Sequence, residues 1–153
     1  MKIALGADHA GFELKEKIKH YLLAKSFDVD DRGTHSSDSV DYPDYAQAVS
    51  EQVAAKHADT GILVCGTGIG MSIAANKIHG IRAAHVTSEI EAQMSREHND
   101  ANVIAIGGRV LSEPTALAII DRWLATGFSG GRHQLRINKI SELEKDRAHA
   151  ASL

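Results

Sequence analysis

Short apolar runs alternate with longer amphipathic ones along this whole chain, and few folds accommodate that rhythm. Residues 3–7 read as a first strand. A helix over about 11–25 follows, with Phe12, Leu14, Ile18, Tyr21 and Leu22 in an imperfect stripe at helical spacing. Residues 27–30 form a short polar strand that belongs near an edge. Pro43 opens a second helix, where its missing N–H costs nothing, and Ala46, Val49, Val53 and Ala54 turn inward. A third strand over 62–65 leads into a helix from about 68 to 78. A fourth strand over 82–86 leads into a helix over 88–97, with Ser88 as N-cap. The fifth strand spans 103–106, and Glu113-Pro114 opens a helix carrying Leu117, Ile120, Trp123 and Leu124. Strands that are each followed by a helix predict a five-stranded, doubly wound parallel α/β sheet.

One segment falls outside that pattern. After Gly127-Phe128-Ser129-Gly130-Gly131 a polar helix runs from 132 to about 150, with Leu135, Ile137, Ile140 and Leu143 as its large apolar groups. It either packs on its own domain or forms an arm that grips a second subunit. The 153 residues suit a single domain over 1–153, with the part from about 130 onward as a C-terminal helical arm. Lysine and arginine number 17 against 20 aspartate and glutamate, and no basic block points to nucleic acid. A lone cysteine excludes an internal disulfide and a cysteine-rich zinc site, and no histidine pair has metal-ligand spacing. The apolar start is too short for a signal peptide and no run could span a membrane, so a cytoplasmic protein is expected.

In an open parallel sheet ligands bind beyond the carboxyl ends of the strands. The tip of the first strand carries Asp8-His9-Ala10-Gly11, and that of the third carries Cys65 and the loop Gly66-Thr67-Gly68-Ile69-Gly70. The tip of the fifth carries Gly107-Gly108-Arg109. Each has a purely structural alternative: Asp8 as a helix cap, His9 as a solvated turn residue, Cys65 as a small buried hydrophobe. Together they assemble a carboxylate, an imidazole, a thiol, a hydroxyl, backbone donors and a guanidinium, an inventory typical of enzymes. A helix N-terminus beside a thiol favours thiolate.

The glycine loop is not a nucleotide fingerprint. Its spacing is G-x-G-x-G, no Lys-Ser/Thr pair follows, and the position where a cysteine phosphatase needs arginine is Met71. Backbone donors suited to an anion or a developing oxyanion remain. Arg132 and Arg136, four apart, share a helix face and can clamp one phosphate dianion or form a solvated basic face. His98, in Glu97-His98-Asn99-Asp100, closes the fourth helix and reads equally as a C-terminal cation. His98, Asn99, Arg132 and Arg136 follow helices that return from the strand tips, so they should lie at the opposite edge from Cys65. If the two groups act together, a two-fold dimer in which each chain completes its partner's site is the simplest geometry.

Asp8-His9-Ala10-Gly11, Asp41-Tyr42-Pro43, Cys65-Gly66-Thr67-Gly68-Ile69-Gly70, Ala74-Ala75-Asn76-Lys77, His98-Asn99-Asp100-Ala101-Asn102-Val103 and Gly130-Gly131-Arg132-His133-Gln134 occur in this order. Together they resemble the ribose-5-phosphate isomerase B family, which also holds the galactose-6-phosphate isomerase subunits. The resemblance covers essentially the whole chain. It implies a Rossmann-like α/β/α sandwich that works as a homodimer or dimer of dimers, with sites at the subunit interface. It implies interconversion of ribose 5-phosphate and ribulose 5-phosphate, a step of the pentose phosphate pathway, without a metal or organic cofactor. By the same resemblance Cys65 is the base that moves a proton between C1 and C2, and His98 opens the furanose ring with help from Asp8. Thr67 and the loop Gly66, Gly68, Ile69 and Gly70 hold the enediolate oxygen. His9, Arg132 and Arg136 bind phosphate, Asn99 and Arg109 complete the pocket, and Tyr42 is a weaker candidate. Some relatives use a glutamate at the end of the loop instead of the cysteine. Here that residue is Met71, which cannot serve as a base.

Two other readings stay open. One is an isomerase of a six-carbon phosphosugar, allose 6-phosphate or galactose 6-phosphate. The other is a non-catalytic phosphosugar-binding module, which would need the phosphate grip but no proton carrier.

Overall fold

The computed structural model describes residues 1–152, apart from the side chain of Ala148. Five strands form one parallel sheet: β1 (Lys2–Ala7), β2 (Asp28–Asp31), β3 (Thr60–Cys65), β4 (Ala83–His85) and β5 (Val103–Gly107), in the order β2-β1-β3-β5-β4. Register runs Ala7 to Val64 and Cys65 to Gly107, so the tips of β1, β3 and β5 end side by side. From β1 the chain turns to β2 on one side, while β3 and everything after it lie on the other. The strand order thus reverses between β1 and β3, the position at which open parallel sheets bind ligands.

Six helices follow the strands: α1 (Phe12–Ala24), α2 (Tyr42–Ala54), α3 (Ile69–Ala75), α4 (Glu89–Glu97), α5 (Glu113–Ala125) and α6 (Arg132–Ala151). Successive strand residues face opposite sides. Ile3, Leu5, Ile62, Val64, Ile104 and Ile106 therefore pack with α1 and α5 around Trp123, while Ala4, Leu63, Cys65, Val103 and Ala105 pack with α2 and α3 around Met71. Both faces are buried, as a sheet with parallel strands requires. The short polar β2 is an edge strand, and Asp31 there pairs with Lys15, whose side chain is fully buried. Burial acts to raise the Asp31 pKa, but hydrogen bonds from Lys15, Lys19 and the Gly33 amide outweigh it and hold the carboxyl at about 2.

Element order and type match the sequence reading, β3 begins at Thr60 rather than at 62, and three further details differ. Ala54 faces solvent, and Ser50 takes the inward place expected for it. α3 stops at Ala75 rather than near 78, because the Asn76 side chain leaves the helix to bond the backbone of Ala83. Its Nδ2 donates to the Ala83 carbonyl at 2.9 Å and its Oδ1 accepts the Ala83 amide at 2.8 Å. Strand four is shorter than expected, 83–85 rather than 82–86, because Arg82 and Val86 fall outside its ladder. Ser88 caps α4 as expected, accepting the Glu91 amide at 3.2 Å. Among the described residues no helix is long and apolar enough to cross a membrane.

α6 is the outlier the sequence suggests. Among its described side chains only His133 and Ile137 are buried, whereas Leu135, Ile140 and Leu143 are exposed. Glu144 reaches back to accept the Gly80 amide at 3.1 Å. A largely apolar groove of about 460 Å³, lined by Ile81, Ala84, Asn99, Ile140 and Leu143, separates α6 from the β4 edge.

Candidate active site

Cys65 is the last residue of β3, held by its ladder to β5 and by the Gly108 amide, which donates to the Cys65 carbonyl at 2.8 Å. The chain then turns sharply: Gly68 adopts φ +85°, a left-handed conformation, before α3 starts at Ile69. That turn folds the Gly68 N–H back over the thiol, donating to Sγ at 3.1 Å. The sulfur sits on the α2/α3 side of the sheet beneath this loop, in a residue 5 % exposed. Thr67 is exposed at the crest, its Oγ1 accepting the Ile69 amide at 3.2 Å. Gly70 lies in the first helical turn, where the backbone N–H has no intrahelical acceptor. A side-chain carbon at Gly70 would come within 2.7 Å of the Tyr42 ring, so that ring lies directly against the loop.

The other strand tips close in around it. Asp8 is buried, with Oδ1 accepting the Gly11 amide at 3.0 Å as the chain enters α1. Its carboxylate thus shapes the turn into α1 but is not the helix cap that its structural alternative required, since Gly11 holds the N-cap position. His9 Nδ1 accepts the Val40 amide at 3.2 Å, which leaves Nε2 as the protonated nitrogen of a neutral ring, free to donate. Arg109 is exposed and its side chain lies along Gly66, about van der Waals distance from where a Cβ there would stand. A polar cavity of about 340 Å³ opens here, walled by His9, Ala10, Lys17, Ser37 and Arg109.

His98, Asn99, Arg132 and Arg136 are elsewhere. His98 caps the C-terminus of α4, and the Asn99 backbone carbonyl accepts a hydrogen bond from Nε of Arg82, just before β4, at 3.0 Å. Ser129 bonds the Glu97 carbonyl, which brings the start of α6 beside them. This cluster therefore sits at the amino ends of the strands, across the sheet from Cys65. Within one chain the expected residues form two half-sets. Arg132 and Arg136 are exposed and make no ion pair among the described residues.

Two histidines at these sites escaped the sequence reading. His133 stacks on His98 with ring centroids 4.4 Å apart and planes at 14°. Burial, then the charge of His98, Arg132 and Arg136, holds its pKa below the ordinary histidine value. Its only sequence signal is its place beside Arg132. His85, the last residue of β4, bonds the Thr67 carbonyl through Nε2 at 2.8 Å. A strand-tip position was its only advance sign.

Arranged so, the β3 tip holds a nearly buried thiol beneath a backbone amide, beside the other amides of the loop. Among the described residues no group of three or more histidine, cysteine, aspartate or glutamate side chains could hold a metal ion. Comparison with known proteins identifies the family. The family described as Ribose/Galactose Isomerase matches residues 3–140. Ribose-5-phosphate isomerase B of Escherichia coli is 49 % identical over 146 residues, 95 % of this chain and 98 % of that one. Among solved structures, ribose-5-phosphate isomerase B of Clostridium thermocellum superposes with a TM-score of 0.95 at 52 % identity, covering 96 % of this chain and 99 % of that one. The enzyme of Mycoplasma genitalium with bound ribulose-5-phosphate gives a TM-score of 0.90 at 42 % identity, covering 94 % and 96 %.

Proposed function

The chain belongs to the ribose/galactose isomerase family, and on that footing we propose that it interconverts D-ribose 5-phosphate and D-ribulose 5-phosphate through an enediolate. The observation that carries this reading is the β3 tip, where a single thiol lies under a backbone amide beside further loop donors. Aldose–ketose isomerisation takes a proton from the carbon beside a carbonyl and returns it to the neighbouring carbon. The carrier must both accept and release that proton, and a thiol is a group able to do both. Cys65 fills that role. The negative charge of the enediolate oxygen falls to Thr67 and the loop amides, where a fixed donor is worth about 3–4 kcal/mol of barrier.

The furanose ring must open first. His98 is the acid–base group for that step, assisted by Asp8, since an imidazole changes protonation near neutral pH. His9, donating through Nε2, binds the phosphate together with Arg132 and Arg136, and Asn99, Arg109 and Tyr42 complete the pocket. The phosphate lies away from the reacting carbons and supplies binding energy that orients C1 and C2.

Because one chain holds its half-sets at opposite ends of the sheet, the working unit is a homodimer or a dimer of dimers. In it His98, Asn99, Arg132 and Arg136 of the partner subunit face Cys65. Three features support this: the bare apolar residues of α6, the apolar groove beside it, and two arginines on one face that have no ion pair among the described residues. A 20-residue helix that buries so little of itself needs another surface. Residues from about 130 onward are then the arm of a single 1–153 domain. The free thiol suits a reducing compartment, the cytoplasm.

The decisive assay measures isomerisation of ribose 5-phosphate by the unmodified chain and by Cys65→Ala, beside allose 6-phosphate and galactose 6-phosphate. The expected result is a five-carbon preference, loss of turnover in Cys65→Ala, and retained phosphosugar binding. Full activity of Cys65→Ala would remove the thiol from the chemistry. Faster turnover of a six-carbon substrate would reassign the substrate, and absence of turnover on all three would leave a binding module.

A further inference from the structure

The Thr67–Gly68 peptide is bonded at both ends. Its N–H donates to Cys65 Sγ at 3.1 Å, and its carbonyl oxygen faces His85 Nε2 at 2.8 Å. A carbonyl only accepts, so Nε2 carries the proton in this contact. The imidazole also lies against the glycine: a Cβ on Gly68 would stand 2.8 Å from His85 Cδ2. On the other side Gly107 is packed so tightly that a Cβ there would meet Thr67 C and O at 2.7 Å. This one peptide is thus clamped between the ends of β4 and β5.

A trans peptide is a rigid plane whose C=O and N–H point in opposite directions. Fixing the oxygen therefore fixes the direction of the hydrogen. A donor on the carbonyl also polarises the unit and strengthens the N–H as a donor.

We propose that His85 is a positioning residue for the reaction: by holding the Thr67 carbonyl it keeps the Gly68 N–H aimed at the sulfur of Cys65. The inference rests on the reading of Cys65 as the proton carrier. His85 does not touch the sulfur and acts only through this peptide. Two features make the arrangement more than loop packing. His85 is itself exposed, so the core does not require it, and the atom it holds belongs to the same peptide that serves the thiol.

The test uses the intact assembled protein with His85→Leu, which keeps bulk against Gly68 but has no donor, and His85→Gln, which keeps an N–H. Steady-state rates on ribose 5-phosphate are read beside the hydrogen-exchange rate of the Gly68 amide by NMR. For His85→Leu, kcat should fall about ten-fold, the rate equivalent of one ordinary hydrogen bond, with KM changed by less than about two-fold. The Gly68 amide should exchange about ten-fold faster, and His85→Gln should restore most of both losses. Unchanged Gly68 exchange in His85→Leu overturns the proposal, whatever happens to the rate. Equal loss in both variants overturns it too, since that would mark a role in bulk alone. If Cys65→Ala remained active, the proton-carrier reading would fall separately, and the exchange data would still report whether His85 directs the amide.

Discussion

Gly68→Ala measures how far the loop at the β3 tip depends on its exact backbone path, and the molecule contains its own control. Gly68 and Gly80 have almost the same positive φ, +85° and +84°. Around Gly80 nothing lies within 4 Å of a built Cβ. At Gly68 the same carbon would stand 2.8 Å from His85 Cδ2, 2.9 Å from the Ile106 carbonyl carbon and 3.0 Å from its Cα. A left-handed non-glycine residue costs about 1–2 kcal/mol, offset in part by the reduced freedom of the unfolded chain. Gly80→Ala should therefore destabilise by about 1 kcal/mol and leave kcat unchanged. Gly68→Ala adds a collision with the backbone of β5, which cannot step aside as a side chain could. Overpacking of that kind costs a further 1–3 kcal/mol or so, for a total of about 2–4 kcal/mol. The loop relieves the clash by lifting away from β5 and carries the Gly68 amide off Sγ. A shift of about 1 Å at a reacting group costs roughly a hundred-fold in rate. Urea unfolding at one protein concentration and kcat on ribose 5-phosphate check both numbers. If the two variants matched within about 0.5 kcal/mol, the close approach at Gly68 would not be what constrains the loop. If Gly68→Ala also kept kcat within about three-fold, the aim of its amide would not matter to the chemistry.

Other outcomes follow from the same geometry. Mixing inactive Cys65→Ala chains with inactive His98→Ala chains should restore activity in the heterodimers, since one of the two composite sites is then intact; no recovery would place each site within one chain. Arg136→Ala should raise KM for the phosphosugar at least about ten-fold with a smaller effect on kcat, because a charge-assisted bond far from the reacting carbons is lost. Acid stability should depend on Asp31. Its folded pKa of about 2 lies below the ordinary 3.8, so between those values the unfolded chain binds more protons and stability falls as the pH falls. The contribution present above pH 3.8 is about 2 kcal/mol, and urea midpoints measured from pH 5 to 2 should lose it in the native chain. Asp31→Asn should be less stable at pH 5 and flatter below it; an unchanged acid limb would refute the ion pair with Lys15 as its source.

The rhythm of apolar and amphipathic runs was sufficient to predict the strands, the helices and the parallel sheet. Each strand needs a buried set of residues and each crossover a helix to cover it, and both demands are written locally. That Cys65, the glycine loop, Asp8, His9 and Arg109 stand at neighbouring strand tips was legible for the same reason: in such a sheet, the end of a strand is a place in space as well as in sequence. Where α3 ends was not legible, because Asn76 is drawn out of the helix by the backbone of Ala83, a partner seven residues away whose position the sheet determines. The contact made by His85 was hidden too. Nothing in residues 82–86 announces that the ring reaches the Thr67 carbonyl, since that contact exists only once β4 has docked beside β5. Periodicity records which face of an element avoids water, and that belongs to the sequence. Which polar atom meets which across the sheet depends on strand order and register, and those are settled only when the whole chain packs.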